Sequence, residues 1–437
     1  MAFNGPVLLK RISNDPAQRK LVRYADYVAS GGYAAFKKAV GMPAADVTKA
    51  VIDSGLRGRG GAGFPCGTKW TFLPKDLHPR YLAVNFDESE PATFKDRYLC
   101  DYDPHVILEG IAIAAHANSI TNSYIFIRGE YHIEAQILED AVKEAYDNGI
   151  FGVKHPGTDI THNVYVHRGA GAYICGEETG LLEALEGKRG WPRIKPPFPA
   201  VAGAFAKPTI INNVETLACL PFIVENGAQA FKAMGTPTSA GPKLMGLSGH
   251  IVNPGCYEEE LGIKMSTLIE KYGGGVKGGK FKSAFHGGIS MGVLGTDQYD
   301  AELDFDIGKK YGVLGLGTAC VTVMNDTVDM VKVARNCVRF YSHESCGQCT
   351  PCREGSAWLY KMLSRIADGR GKPRDLDMLM ELALAQGSMP GTTICGLADG
   401  TNWVVKTILQ KFPNDFKRAI KSDAVQGVEL TVAGARV

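Results

Sequence analysis

Three cysteines on a strict three-residue step, in "SCGQCTPC" (residues 345–352), constrain this chain more than any other stretch. A C-x-x-C-x-x-C loop lets Cys346, Cys349 and Cys352 converge on one face of a metal cluster, and a fourth ligand must come from elsewhere in the fold. Structural zinc sites more often join two separate two-ligand knuckles, so a 4Fe–4S cluster is the favoured reading and zinc the alternative. Cys337 lies nearby but shares a helical face with Met330, Ala334 and Tyr341, which suits a buried apolar thiol. Cys395 stands in "GTTICGLADG", between two helical stretches, where Gly396 and the hydroxyls of Thr392 and Thr393 can hydrogen-bond a thiolate or its cluster. Cys395 is therefore expected as the fourth ligand. The helix that begins at the loop presents its positive end to the sulfurs.

The remaining cysteines point away from disulfides. The N-terminus has no apolar core or small-residue cleavage site of a signal peptide, so the chain is expected in a reducing compartment, not secreted. A formal charge of +2 argues against nucleic acid as a partner. The most apolar stretch, "VILEGIAIAAHA" (residues 106–117), is interrupted by Glu109 and falls short of a membrane span, so any membrane association is indirect.

At 437 residues the chain is expected to hold several domains. Residues 1–238 alternate helical patterns with short β-rich runs, at residues 80–86, 122–129 and 163–169, which predicts an α/β domain on a mostly parallel sheet. "MGTPTSAGPK" (residues 234–243) reads as a linker. Residues 239–325 show β-runs, one short helix and glycine-rich turns, a small α+β module. Residues 326–437 read as four helices with short connections, at 326–341, 353–368, 375–385 and 399–412, which predicts a four-helix bundle opened by Asp326 and Asp329 as caps.

The first half carries a second kind of chemistry. "GLRGRGGAGFPCGTKWTF" (residues 55–72) places Gly58, Gly60 and Gly63 in G-x-G-x-x-G register, but a helix precedes it where a dinucleotide fingerprint needs a strand. Its glycines still let backbone N–H groups approach a phosphate, with Arg59 and Lys69 adding positive charge and Phe64 and Phe72 suiting a planar heterocycle. "NFDESEP" then sets Asn85, Asp87, Glu88, Ser89 and Glu90 at the end of a strand, where open α/β sheets bind ligands. Such groups could hydrogen-bond ribose or ribityl hydroxyls; a solvated acidic turn is the plainer alternative. "GAGAYICGEET" (residues 169–179) sets Gly176, Glu177 and Glu178 at a helix start, "KPPFPA" (residues 195–200) carries Lys195 and Phe198, and "NNVET" (residues 212–216) offers two amides.

With these motifs in this order, followed by "ESCGQCTPCREG" and "TTICGL", the chain resembles the NADH-binding flavoprotein subunit of respiratory complex I, the NADH:quinone oxidoreductase. Diaphorase subunits of NAD-linked hydrogenases and formate dehydrogenases belong to the same family. The resemblance covers essentially the whole chain and implies an α/β Rossmann-like domain for FMN and NADH, a β-grasp (ubiquitin-like) module and a C-terminal helical bundle with one 4Fe–4S cluster. It implies FMN contacts from Gly58, Arg59, Gly60, Gly61, Lys69, Asn85, Asp87, Glu88, Ser89, Gly176, Glu177, Asn212, Asn213 and Thr216. It implies that Phe64, Phe72, Glu90, Tyr173, Glu178, Lys195 and Phe198 hold NADH, with hydride transfer positioned by Phe72, Glu90 and Glu178 and no side chain acting as acid or base. The partners it implies are a thioredoxin-like 2Fe–2S subunit and a larger multi-cluster iron–sulfur subunit, in a peripheral arm on the cytoplasmic face of the inner membrane. The absence of a second cluster motif favours the complex I subunit over a soluble diaphorase.

Overall fold

The β-rich runs of the first half form one parallel sheet. In the computed structural model, which describes residues 5–387 and 391–420, they are β1 (Tyr81–Phe86), β2 (Asn122–Ile127), β3 (Asn163–Arg168) and β4 (Thr209–Asn213). All four pair in parallel in the order β3-β2-β1-β4. The fourth strand was not expected from sequence: "TIINN" is short and runs straight into a helix. From β1 the chain crosses through the Lys95–Tyr102 and Pro104–Asn118 helices to β2, and through His132–Asp147 to β3. It then returns to the other flank of β1. The strand order therefore reverses between β1 and β4, and in open α/β sheets such a reversal leaves a crevice at the strands' carboxyl ends.

The Pro104–Asn118 helix is buried along its whole length, so the apolar stretch is core. Glu109 does not interrupt it; its carboxylate accepts the Tyr27 hydroxyl at 2.5 Å and the Phe36 N–H at 2.9 Å. No helix among the described residues is long and apolar enough to cross a membrane. Gly110 lets this helix approach the chain beyond β4: a Cβ there would lie 2.1 Å from the Leu217 carbonyl oxygen. Gly110→Ala must push backbone away from backbone, so a destabilisation of about 3 kcal/mol is expected, read as a lower melting temperature of the full chain. An unchanged melt would mean that the helix can shift without loss.

The expected linker is a tight join instead. Gly235–Thr236 (β5) and Ser239–Ala240 (β6) make a small hairpin, and β7 (Pro242–Gly249) begins at once. Gly241 has φ +85°, and a Cβ there would enter the Phe231 ring at 2.1 Å. Thr, Pro and Gly serve a buried turn as readily as a flexible tether, so composition alone could not separate the two. With β8 (Gly255–Glu260), β9 (Phe281–Phe285), β10 (Val293–Leu294) and β11 (Val321–Asn325), β7 forms a second sheet in the order β10-β9-β11-β7-β8. Its first and last strands, β7 and β11, are parallel neighbours at the centre, and the other pairs are antiparallel. Met265, Leu268 and Ile269 pack a short helical segment on this sheet's core with Met245, Leu247, Val321 and Val323. Both sheets belong to one compact unit that ends at Asp326.

The second unit starts at Thr327. Its helices are Met330–Glu344, Thr350–Ala367, Arg374–Gly387 and Leu397–Lys411, followed by a shorter fifth, Pro413–Ala419. Asp329 caps the first by accepting the N–H groups of Val331 and Lys332. Asp326, the other expected cap, accepts from the Lys280 N–H in the first unit.

Candidate functional site

Around the reversal point of the parallel sheet, the glycine loop closes on itself. Gly58 N–H donates to the Phe64 carbonyl at 2.8 Å, Cys66 N–H to Leu56 at 2.9 Å, and Arg57 Nε to Gly63 at 2.7 Å. At Gly60 a Cβ would press on Asn213 at 3.1 Å, whereas at Gly61, with φ +138°, it would meet nothing within 4 Å. The loop thus lies tightly on β4 and turns its Gly61 backbone to open space. Arg59 is fully buried: its N–H donates to Thr216 Oγ1 at 2.8 Å and its Nη2 to the Ala240 carbonyl at 2.7 Å, while Nε and Nη1 have no hydrogen-bond partner. The positive charge expected from Arg59 is thus carried by a buried guanidinium.

The expected polar residues gather here, but several side chains are engaged in building the crevice. Asn212 accepts Trp70 Nε1 at 2.9 Å, and Asn213 donates to Asp96 at 2.6 Å while capping the next helix through the Glu215 N–H at 3.1 Å. Asn85 donates to the Gly176 carbonyl at 2.8 Å and accepts the Asp87 N–H at 3.1 Å, and Ser89 hydrogen-bonds Asp87. Glu88 accepts the N–H groups of Asp96 at 2.8 Å and Arg97 at 2.9 Å, capping the Lys95–Tyr102 helix; burial pushes its carboxyl up. Sequence reasoning missed the ion cluster beneath them. Lys95 meets Asp96 at 2.7 Å and Glu215 at 3.0 Å, Lys243 meets Glu215 at 2.6 Å, and all four are buried. Burial pushes Glu215 up, but Lys243, Lys95 and Arg59 outweigh it and hold the carboxylate below its usual range. Its only sequence signal was the position of Glu215 inside "NNVET".

Across the crevice, Glu177 caps the Glu178–Leu185 helix through the N–H groups of Thr179 and Gly180. Glu178 lies between Lys195 Nζ at 2.8 Å and Lys69 Nζ at 3.1 Å, and Lys195 also reaches Glu177 at 3.0 Å. Burial pushes Glu178 up, and the two lysines more than offset it, so it is ionised at neutral pH. Tyr173 donates to Glu90 at 2.7 Å. Phe64, Phe72 and Phe198 are 48%, 53% and 59% exposed, and the first two rings lie 6.1 Å apart. Exposed rings of this size beside paired charges are what a planar, phosphorylated ligand covers. The open Gly61 backbone fits its phosphate.

In the second unit, Cys349 is the residue that starts the Thr350–Ala367 helix, and Cys352 lies in its first turn. Cys346, Cys349 and Cys395 are half-buried, and Cys337 is buried in the preceding helix, as its apolar face predicts. Ile394 N–H donates to Cys349 Sγ at 3.4 Å, so the segment carrying Cys395 lies against the three-cysteine loop. Ser345 Oγ lies 3.3 Å from Cys352 Sγ. Thr393, expected as a donor to sulfur, donates to the Cys395 carbonyl at 3.1 Å. Among the described residues no three or more His, Cys, Asp or Glu gather as one metal ion requires. A 4Fe–4S cluster, each of whose irons would take a separate cysteine sulfur, does not ask for that convergence. The donor set, thiolates at a helix start with N–H and O–H donors beside them, fits a 4Fe–4S group.

The chain is similar to known proteins. Residues 51–221 match the family model of the Nuo51 FMN-binding domain, and residues 332–419 that of the NADH-ubiquinone oxidoreductase-F iron-sulfur binding region. The chain is 46% identical over 414 residues to an NADH-quinone oxidoreductase subunit of the F type from Rhizobium meliloti, covering 94% of this chain and 96% of that one. It is 48% identical over 381 residues to the mitochondrial NADH dehydrogenase (ubiquinone) flavoprotein 1 of Dictyostelium discoideum, covering 86% and 79%. A solved structure of an NAD+-reducing [NiFe]-hydrogenase in the air-oxidized state superposes with a TM-score of 0.81 at 33% identity, over 92% of this chain and 68% of that one.

Proposed function

Because the chain belongs to the family of F-type NADH-quinone oxidoreductase subunits, we propose that it is the electron-input subunit of such an enzyme, oxidising NADH with bound FMN and passing electrons on through a 4Fe–4S cluster. The observation that carries this reading is the meeting, at the reversal between β1 and β4, of the glycine loop, the lysine-bridged Glu177 and Glu178, and the exposed phenylalanines. FMN, when bound, supplies the chemistry that accepts a hydride and releases electrons singly.

The chain's own residues bind and orient. The Gly58–Gly61 backbone, Arg59 and Lys69 would hold the FMN phosphate, and Asn85, Asp87, Glu88, Ser89, Gly176, Glu177, Asn212, Asn213 and Thr216 would surround its ribityl chain and ring. Where those side chains already join segments to one another, they keep the crevice in shape. Phe72 would back the nicotinamide and Phe198 would stack on adenine, with Phe64, Glu90, Tyr173, Glu178 and Lys195 completing the NADH site. No acid or base is needed, because hydride transfer asks only for placement. Cys346, Cys349, Cys352 and Cys395 would hold the cluster. In this reading residues 1–238 are a Rossmann-like domain, 239–325 a β-grasp module and 326–437 a four-helix bundle, of which residues 1–4, 388–390 and 421–437 lie outside the described residues; the central parallel pair of first and last strands in the second sheet supports the β-grasp.

A thioredoxin-like 2Fe–2S subunit and a larger multi-cluster subunit would receive the electrons, in a peripheral arm on the cytoplasmic face of the membrane. The likeness to the NAD+-reducing hydrogenase favours one second reading, a diaphorase subunit; the proteins that co-purify with the native chain decide between them. The order of the path is tested by stopped flow on a folded, FMN-loaded Cys349→Ala variant. NADH is expected to bleach its flavin as in the parent, with ferricyanide reduction retained; no bleaching would sink the placement of FMN ahead of the cluster.

A further inference from the structure

One carboxylate at the crevice is gripped by the loop between β9 and β10. Ser290, which lies 200 positions beyond Glu90 in the chain, donates its backbone N–H to Glu90 Oε1 at 2.8 Å and its hydroxyl to Oε2 at 2.7 Å. The Tyr173 hydroxyl donates to the same Oε2 at 2.7 Å and lies 3.1 Å from Ser290 Oγ. Gly288 makes the approach possible: its φ is +85°, and a Cβ there would lie 2.3 Å from Glu90 Cγ. The gripping turn is itself fixed, since Gly288 N–H donates to the Cys320 carbonyl at 3.2 Å and Thr318 N–H to Gly287 at 3.1 Å. A carboxylate that accepts backbone N–H groups and two hydroxyls is held in one orientation; burial pushes its carboxyl up, and these donors offset only part of that rise.

We propose that Ser290 is a positioning residue for nucleotide recognition: with Gly288 it fixes the Glu90 carboxylate toward the nicotinamide half of the dinucleotide, so that the second sheet supplies one wall of the site. This rests on Glu90 being a nucleotide ligand. The role differs from a general packing role because it acts through one carboxylate on one half of the ligand.

The test uses full-length, FMN-loaded protein and isothermal titration with NAD+ and with ADP-ribose, which lacks the nicotinamide. Losing a hydroxyl that donates to a carboxylate should weaken NAD+ binding by Ser290→Ala about tenfold. ADP-ribose affinity, FMN content and melting temperature should stay at parent values, and KM for NADH should rise more than kcat falls. Ser290→Thr keeps the hydroxyl and should restore NAD+ affinity, whereas Gly288→Ala should imitate Ser290→Ala by displacing the carboxylate. In a Glu90→Gln background, Ser290→Ala should have little left to remove. Equal losses for NAD+ and ADP-ribose, or a loss undiminished in that background, would overturn the proposal. If Glu90→Gln weakens NAD+ binding and Ser290→Ala does not, the positioning role alone falls. If Glu90→Gln leaves NAD+ binding at the parent value, the reading of Glu90 as a ligand falls, and the proposal with it.

Discussion

Cys395→Ser is expected to strip the protein of its iron as fully as Cys349→Ser, while Cys337→Ser retains it. Cys346, Cys349 and Cys352 come from one loop and one helix start, so the fourth ligand of the site must come from another segment. The Ile394 N–H, 3.4 Å from Cys349 Sγ, brings the neighbouring Cys395 to that side. Cys337 instead is buried with Met330, Ala334, Val338 and Tyr341 in the core of the Met330–Glu344 helix. A hydroxyl there replaces a weak S–H donor in an apolar site, a cost of about 1–3 kcal/mol in stability with no loss of a ligand. Iron content and the low-temperature EPR signal of the reduced proteins read the difference. A full signal in Cys395→Ser together with its loss in Cys337→Ser would reverse the assignment.

How much of this was open to a reader of the sequence follows from the range of the interactions. Strands β1, β2 and β3 announce themselves by local β-branched and aromatic runs, the Ala44–Asp53 helix by apolar spacing opened at Pro43, and the His132–Asp147 helix by apolar spacing closed by Gly149. The cysteine step and the glycine loop are local too. What failed to show is long-range. Asn212, Asn213 and Glu88 carry the right chemistry for a ligand, yet their side chains meet Trp70, Asp96 and a helix start, contacts that only the folded sheet creates. The same holds for Arg59, whose guanidinium turns inward beneath the loop that advertised it. Ser290 sits in "HGGIS", which reads as an ordinary glycine turn; its meaning comes from Glu90, which the fold brings to it. Motif identity therefore travelled well from sequence to structure, whereas the division of labour among the motif's side chains did not.

Replacing Glu178 by glutamine is expected to raise the NADPH-to-NADH ratio of kcat/KM by about a hundredfold, roughly 3 kcal/mol of discrimination. In the sequence Glu177 and Glu178 look like interchangeable neighbours. In the structure Glu177 is held as a helix cap by Thr179 and Gly180, which leaves Glu178 as the carboxylate that faces the crevice between Lys69 and Lys195. An ionised carboxylate placed to accept the adenosine ribose hydroxyls repels a 2′-phosphate by a few kcal/mol at close range in a partly dehydrated site. The two lysines sharpen the effect of removing it. With Glu178 charged, the pairs Lys69–Glu178 and Lys195–Glu177 leave the cluster near neutrality; with glutamine, one lysine charge is left over and favours a phosphate. Glutamine still hydrogen-bonds a ribose hydroxyl, so NADH oxidation should fall far less than NADPH oxidation rises. Steady-state kinetics with both nucleotides on the same FMN-loaded preparation give the ratio. Were it to stay within about twofold of the parent, a few tenths of a kcal/mol, the choice of nucleotide would have to be made outside this lysine–carboxylate cluster.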